Sequence, residues 1–249
     1  MLSREITESS GYSLPGSWTP DLVFSKLWLA RELKKILGDR TVPVAYVLGS
    51  WYSNMSTILR KSAVPIEKIV DVEKNRNWLA VGHQVQQDMG IHGVQYMAAD
   101  ANRIDYRQLK EPGVVINTST NDMPDHGWFD HIPEGTIVAL QGRDGQPPGS
   151  EHTYRSPDAL LELYPLSKVL YQGSMALQDP ETQYNRHMVI GIKGAETLRE
   201  LMFMGISPCT KDCSGHRAGY SWSARHNNAH SASWSDSFNR GAAIRASGL

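Results

Sequence analysis

Two stretches decide the fold: Val42-Pro43-Val44-Ala45-Tyr46-Val47-Leu48-Gly49-Ser50-Trp51-Tyr52-Ser53-Asn54 and Lys68-Ile69-Val70-Asp71-Val72-Glu73. Val42 to Leu48 reads as a buried strand, an apolar run ended by a glycine turn. After Asn54, Met55 to Lys61 reads as a short helix, and Lys68 to Asp71 as a second strand. Strand, turn, helix and strand in that order are the unit of a parallel sheet.

The same alternation continues in both directions. Upstream, Thr19-Pro20 opens a helix with an N-cap residue followed by proline at the first helical position. Leu22, Leu29, Leu33, Ile36 and Leu37 recur along it at helical spacing, and Gly38 stops it. Downstream, Asn75 to Met89 reads as a helix with Trp78, Leu79, Val81, Val85 and Met89 near one face. Val94 to Ala98, Val114 to Asn117 and Thr136 to Gln141 read as strands, the last opened by the turn Pro133-Glu134-Gly135. Pro157 to Tyr164 is helical, and Lys168 to Tyr171 and His187 to Ile192 complete seven strands. The expected architecture is α/β: a doubly wound, Rossmann-like, mostly parallel seven-stranded sheet with helices on both faces.

The pattern fades after Gly194. A last helix is expected over Glu196 to Met204, and from Cys209 to Leu249 the chain is rich in Ser, Ala, Gly, Arg and His with almost no aliphatic residues. Such a composition builds no core of its own. The chain is therefore divided into an N-terminal helical segment (1–39), an α/β domain (40–193) and an irregular C-terminal module (194–249).

The composition of the 249 residues is that of an ordinary globular protein, 40% apolar and 20% charged, with a net charge of −1 that excludes a histone-like basic tail. No apolar run is long enough to span a membrane, and the first residues lack the layout of a signal peptide. Two cysteines are too few for a disulfide scaffold, so a cytoplasmic setting is expected.

In an open α/β sheet, ligands bind beyond the carboxyl ends of the strands. Those ends carry a glycine turn (Gly49 to Asn54), an acid after the second strand (Asp71-Val72-Glu73), an acid after the third (Ala99-Asp100-Ala101), and Asn117-Thr118-Ser119-Thr120-Asn121-Asp122 after the fourth. An acid ending the second strand suits the two hydroxyls of a ribose, and a second acid reaches an exocyclic amine. Together they read as a nucleoside site.

With these residues, and with Val115-Ile116-Asn117-Thr118-Ser119, Trp128-Phe129, Gly135 to Gln141, Glu151-His152, Leu170 to Gly173 and Tyr184 to Gly191, the chain resembles the class I S-adenosylmethionine-dependent methyltransferases over about residues 40–193. It looks closest to a bacterial and phage branch of them. The resemblance implies S-adenosylmethionine as cofactor, with Gly49 at its amino-acid end, Asp71 (or Glu73) at the ribose, Asp100 at the adenine and Asn117 closing the site. The family's first loop carries an acid and two further glycines where this chain has Val47, Trp51 and Ser53. Trp51 either blocks the backbone's approach to the cofactor or walls the site.

A methyl acceptor would approach over Thr120 to Asp130, where Asp122 and His126 are candidate proton acceptors. No Asn/Asp-Pro-Pro-Tyr/Phe sequence follows the fourth strand, which counts against amino methylation of nucleic-acid bases. In the tail, Cys209, Cys213 and His216 are candidate ligands for zinc, against a structural pair of thiols. Pro208 to Tyr220, with Trp222 and Ser237 to Gly241, is similar to a module of phage virion-associated proteins. Its arginines and tryptophans offer contacts to nucleic acid. Two readings are carried forward: a methyltransferase of unnamed acceptor, and a phage structural component that uses the fold as a scaffold and the tail for assembly.

Overall fold

Val42–Leu48 forms β1 near the middle of a sheet whose strand order is β3-β2-β1-β4-β5-β7-β6. The strands are β2 (Ile66–Glu73), β3 (Val94–Ala98), β4 (Gly113–Asn117), β5 (Ile137–Arg143), β6 (Lys168–Gln178) and β7 (Gln183–Ile192). Every pair from β3 to β5 is parallel, whereas β7 runs antiparallel to both β5 and β6. The helices are α1 (Pro20–Leu37), α2 (Asn54–Lys61), α3 (Arg76–Asp88), α4 (Gly127–Asp130) and α5 (Pro157–Leu163). The computed structural model describes residues 14–109, 113–145 and 149–194. The expected helix over Glu196 to Met204 and the whole C-terminal module lie outside the described residues.

Alternation along the strands sorts the core into two layers. Ala45, Val47, Ile69, Ile116, Ala139 and Ile190 face α1 and α2, where Trp28, Leu29, Leu33, Leu37, Met55 and Leu59 close over them. Tyr46, Leu48, Val72, Val115, Val138 and Leu140 face the other way, against Trp128 and Phe129 of α4 and Leu160 and Tyr164 beside α5. α3 packs over β2 and β3, with Asn75 capping it by accepting from Asn77 N at 3.0 Å and Trp78 N at 3.3 Å.

The reading of β6 as ending at Tyr171 is corrected: the strand runs to Gln178. Gln172, Gly173 and Ser174 interrupt the apolar run, but β6 is an edge strand with only one half-buried face. Its signal is therefore the alternation Tyr171, Gly173, Met175, Leu177 and not a continuous run. β2 likewise extends past Asp71 to Glu73, which decides what the two acids can reach. Among the described residues, no helix is long and apolar enough to cross a membrane.

Candidate functional site

The loop leaving β1 passes through the left-handed region at every second residue: Gly49 at φ 59°, Trp51 at φ 50° and Ser53 at φ 60°. A loop with glycines at these positions would take that path freely. Trp51 and Ser53 take it at roughly 1–2 kcal/mol each. The left-handed path is thus taken without glycine at two of its three positions. The Trp51 ring lies against Tyr52 (centroids 5.0 Å apart) and Trp78 of α3 (6.3 Å), so it walls one side of the loop. At Gly49 itself there is no room for more: a Cβ would stand 2.9 Å from Ser119 Cβ, and Ser119 Oγ donates to Gly49 O at 3.0 Å.

Asp71 and Glu73 point to the same face of β2 but meet different surroundings. Asp71 is wholly buried, and its Oδ2 accepts from Ser56 Oγ at 2.6 Å. Gln86 of α3 donates to Ser56 Oγ at 2.8 Å and Thr57 Oγ1 at 2.9 Å, and accepts from Tyr96 at 2.5 Å. Burial, opposed by hydrogen bonds from Ser56 and Ser53, pushes the Asp71 carboxyl up to about 7. Asp71 therefore stands beneath the loop, sealed by α2 and α3, and does not reach the open end of the sheet.

Glu73 does. Its Oε2 accepts from Trp51 N at 3.1 Å and its Oε1 from Asn75 N at 2.9 Å, so one carboxylate ties the β1 loop to the start of α3. Each oxygen keeps a lone pair for a further donor. Asp100, exposed at the end of β3, accepts from Asn102 N at 2.9 Å and also has acceptor capacity to spare. Gly49, Trp51, Glu73 and Asp100 thus follow the carboxyl ends of β1, β2 and β3 in order.

Beyond β4, Asn117 is fully buried and spends its amide on the turn itself, accepting from Ser119 N at 2.9 Å and donating to Met123 Sδ at 3.2 Å. Asp122 is exposed and accepts from Ser150 Oγ at 3.2 Å. His126 is exposed, with its ring 6.3 Å from that of His152. Asn121 holds the returning segment in place through Arg143 O at 3.1 Å and His152 O at 2.8 Å. Cys209, Cys213 and His216 lie outside the described residues. Among the described residues, no group of three or more His, Cys, Asp or Glu side chains is placed to hold a metal.

The sequence reading missed a set of polar residues where α1 meets the ends of β5 and β7. Gln141 Nε2 donates to Ser25 O at 2.8 Å, and Tyr184 OH to Asp21 Oδ2 at 2.7 Å. Arg143 stacks over the Tyr184 ring at 3.7 Å, with Arg186 at 5.4 Å. A groove of about 540 Å³ opens beside them, lined by Asp21, Phe24, Asp144, Leu177, Tyr184 and Asn185 among others. Lys26, half-buried on α1, feels the charges of Asp21 and Arg186 in this set. The available signal was its place on the Leu22–Leu29–Leu33 stripe of the first helix, where an apolar residue is expected.

No protein-family model and no curated protein sequence matches the chain. Solved structures do. YcgJ from Bacillus subtilis matches with a TM-score of 0.50 at 10% identity, covering 70% of this chain and 100% of that one. The N-terminal domain of EvdMO1 with SAH bound matches at 0.51 and 12%, covering 78% and 98%. The [4+2]-cyclase SpnF matches at 0.55 and 11%, covering 78% and 96%. At these identities the likeness is one of fold, and the fold is the Rossmann-like methyltransferase fold.

Proposed function

We propose that the chain is an S-adenosylmethionine-dependent methyltransferase, binding its cofactor across the carboxyl ends of β1, β2 and β3. The observation that carries this reading is the Glu73 carboxylate at the end of β2, bonded to the backbone of a β1 loop that keeps its three left-handed turns. Glu73 would accept from the ribose hydroxyls and Asp100 from the adenine amine. Trp51 and Trp78 would flank the nucleoside. The residues present therefore fit the adenosine half of the group. When bound, S-adenosylmethionine supplies a methyl group activated on a sulfonium.

This chain's own contribution is to hold the two reactants in line, which accounts for much of the rate in such transfers. The acceptor would enter over the ends of β4, β5 and β7, where Asp122 and the polar set around Arg186 stand. For residues 194–249, composition supports a partner-binding role, with a phage particle the partner that the tail's resemblance suggests and nucleic acid the one that its arginines and tryptophans suggest.

Asp100 provides the test of the nucleoside end. Asp100→Ala is expected to weaken S-adenosylhomocysteine binding by about 1.5–3 kcal/mol, the scale of a hydrogen bond to a charged group. Calorimetric titration is the readout. Equal affinity in variant and parent would remove Asp100 from the site.

A further inference from the structure

Asp21 is the second residue of α1, a place where an acid ordinarily complements the helix dipole from the surface. Here it is 5% exposed. Its Oδ2 accepts from Tyr184 OH of β7 at 2.7 Å, and its Oδ1 makes no hydrogen bond. A buried carboxylate oxygen without a donor is costly, and such atoms are few in folded chains. Among the described residues, no Lys or Arg forms an ion pair with Asp21.

Asp21 and Tyr184 both stand in the wall of the groove of about 540 Å³, between the start of α1 and the turn that joins β6 to β7. That volume suits a small organic molecule. Asp144 lines it as well, its Oδ1 accepting from Asn185 N at 2.6 Å and its Oδ2 from Asn185 Nδ2 at 2.7 Å. Each of those oxygens keeps a lone pair. Phe24, 48% exposed, and Leu177 supply apolar wall. Among the described residues, no Lys, Arg or His lines the groove. The nearby guanidinium groups are engaged elsewhere: Arg143 with Asp179 at 3.3 Å and over the Tyr184 ring, and Arg186, 6% exposed, against the same ring.

We propose that this groove binds a small organic cation, an ammonium or guanidinium carried on a hydrocarbon stem. Its N–H groups supply the donor that Asp21 Oδ1 lacks and share the Asp144 carboxylate. Its charge and stem lie against the Phe24 ring and Leu177. Arg143 closes β5 and Gln183 opens β7, so the groove stands at the carboxyl end of β5, on the side where the methyl acceptor would enter. The ligand's role rests on the methyl-transfer reading above: the cation is part of the acceptor, which narrows the substrate class to molecules that carry a positive charge.

Ligand-observed NMR titration of the full chain with butylguanidinium and with butylurea, its neutral isostere, tests this. The cation is expected to saturate one site and to bind about tenfold or more tightly than the urea, because bonds from a charged donor to a carboxylate exceed neutral ones. This comparison needs no variant. Asp21→Asn keeps an oxygen for the Tyr184 hydroxyl and should cut the cation's affinity about tenfold or more. Phe24→Ala, at an exposed position outside the core, should weaken it as well. Equal affinity for the two probes, or a cation affinity unchanged in both variants, overturns the proposal. Calorimetry with S-adenosylhomocysteine separates the two readings. Equal S-adenosylhomocysteine binding with the groove empty and filled supports a distinct acceptor subsite, and mutual exclusion of the two ligands overturns it. A chain that binds the cation but no S-adenosylhomocysteine overturns the methyl-transfer reading and the acceptor role, and leaves the cation site standing.

Discussion

Glu73→Ala is expected to lower the stability of the fold by about 3–5 kcal/mol, because it removes two hydrogen bonds to a buried charge at roughly 1.5–3 kcal/mol each. The bonds are those from Trp51 N and Asn75 N, which join the β1 loop to the start of α3. The same change should abolish measurable S-adenosylhomocysteine binding. Glu73→Gln retains one acceptor oxygen and should lose less on both counts. Urea unfolding checks the first effect and calorimetry the second. A Glu73→Ala protein with the parent's unfolding midpoint would mean that the clamp between β2 and the loop does not exist as described.

The second large effect is a pH dependence set by Asp71. Its carboxyl titrates at about 7 in the folded chain against 3.8 when unfolded, so the folded state holds a proton that the unfolded state has already lost. The stability this lends is complete below about 4 and disappears as pH rises through about 7. At roughly 1.4 kcal/mol per pH unit, the loss amounts to about 4 kcal/mol. Asp71→Asn, which cannot ionise, should escape it. Unfolding free energies measured from pH 4 to pH 8 should therefore converge at the acid end and separate towards neutrality, with the variant the more stable. Parallel curves would show that Asp71 is solvated or paired with a cation.

Much of this arrangement was legible in the chain because local patterns and tertiary needs coincide. β1 and β3 fall where their apolar runs fall, and α1 ends at Gly38. What escaped reading was set by geometry that residue types do not encode. The choice between Asp71 and Glu73 depends on where β2 ends, three residues beyond Val70, the last residue of the unbroken apolar run. The first loop leaves open whether Trp51 blocks or walls the site, because sequence reports the missing glycines but not that Trp51 and Ser53 both adopt a left-handed backbone. Sequence reading finds only four of the eleven residues of β6 because an edge strand alternates. Arg186 was hidden for a different reason: it sits buried at an inward position of β7, and a charged residue there is visible only once the register of the strand is known.

The direct test of the account is calorimetric titration of the full chain with S-adenosylhomocysteine. The account predicts saturable one-to-one binding that is weakened by Asp100→Ala and lost in Glu73→Ala. Absence of binding heat up to about 1 mM ligand, a limit near −4 kcal/mol, would contradict it.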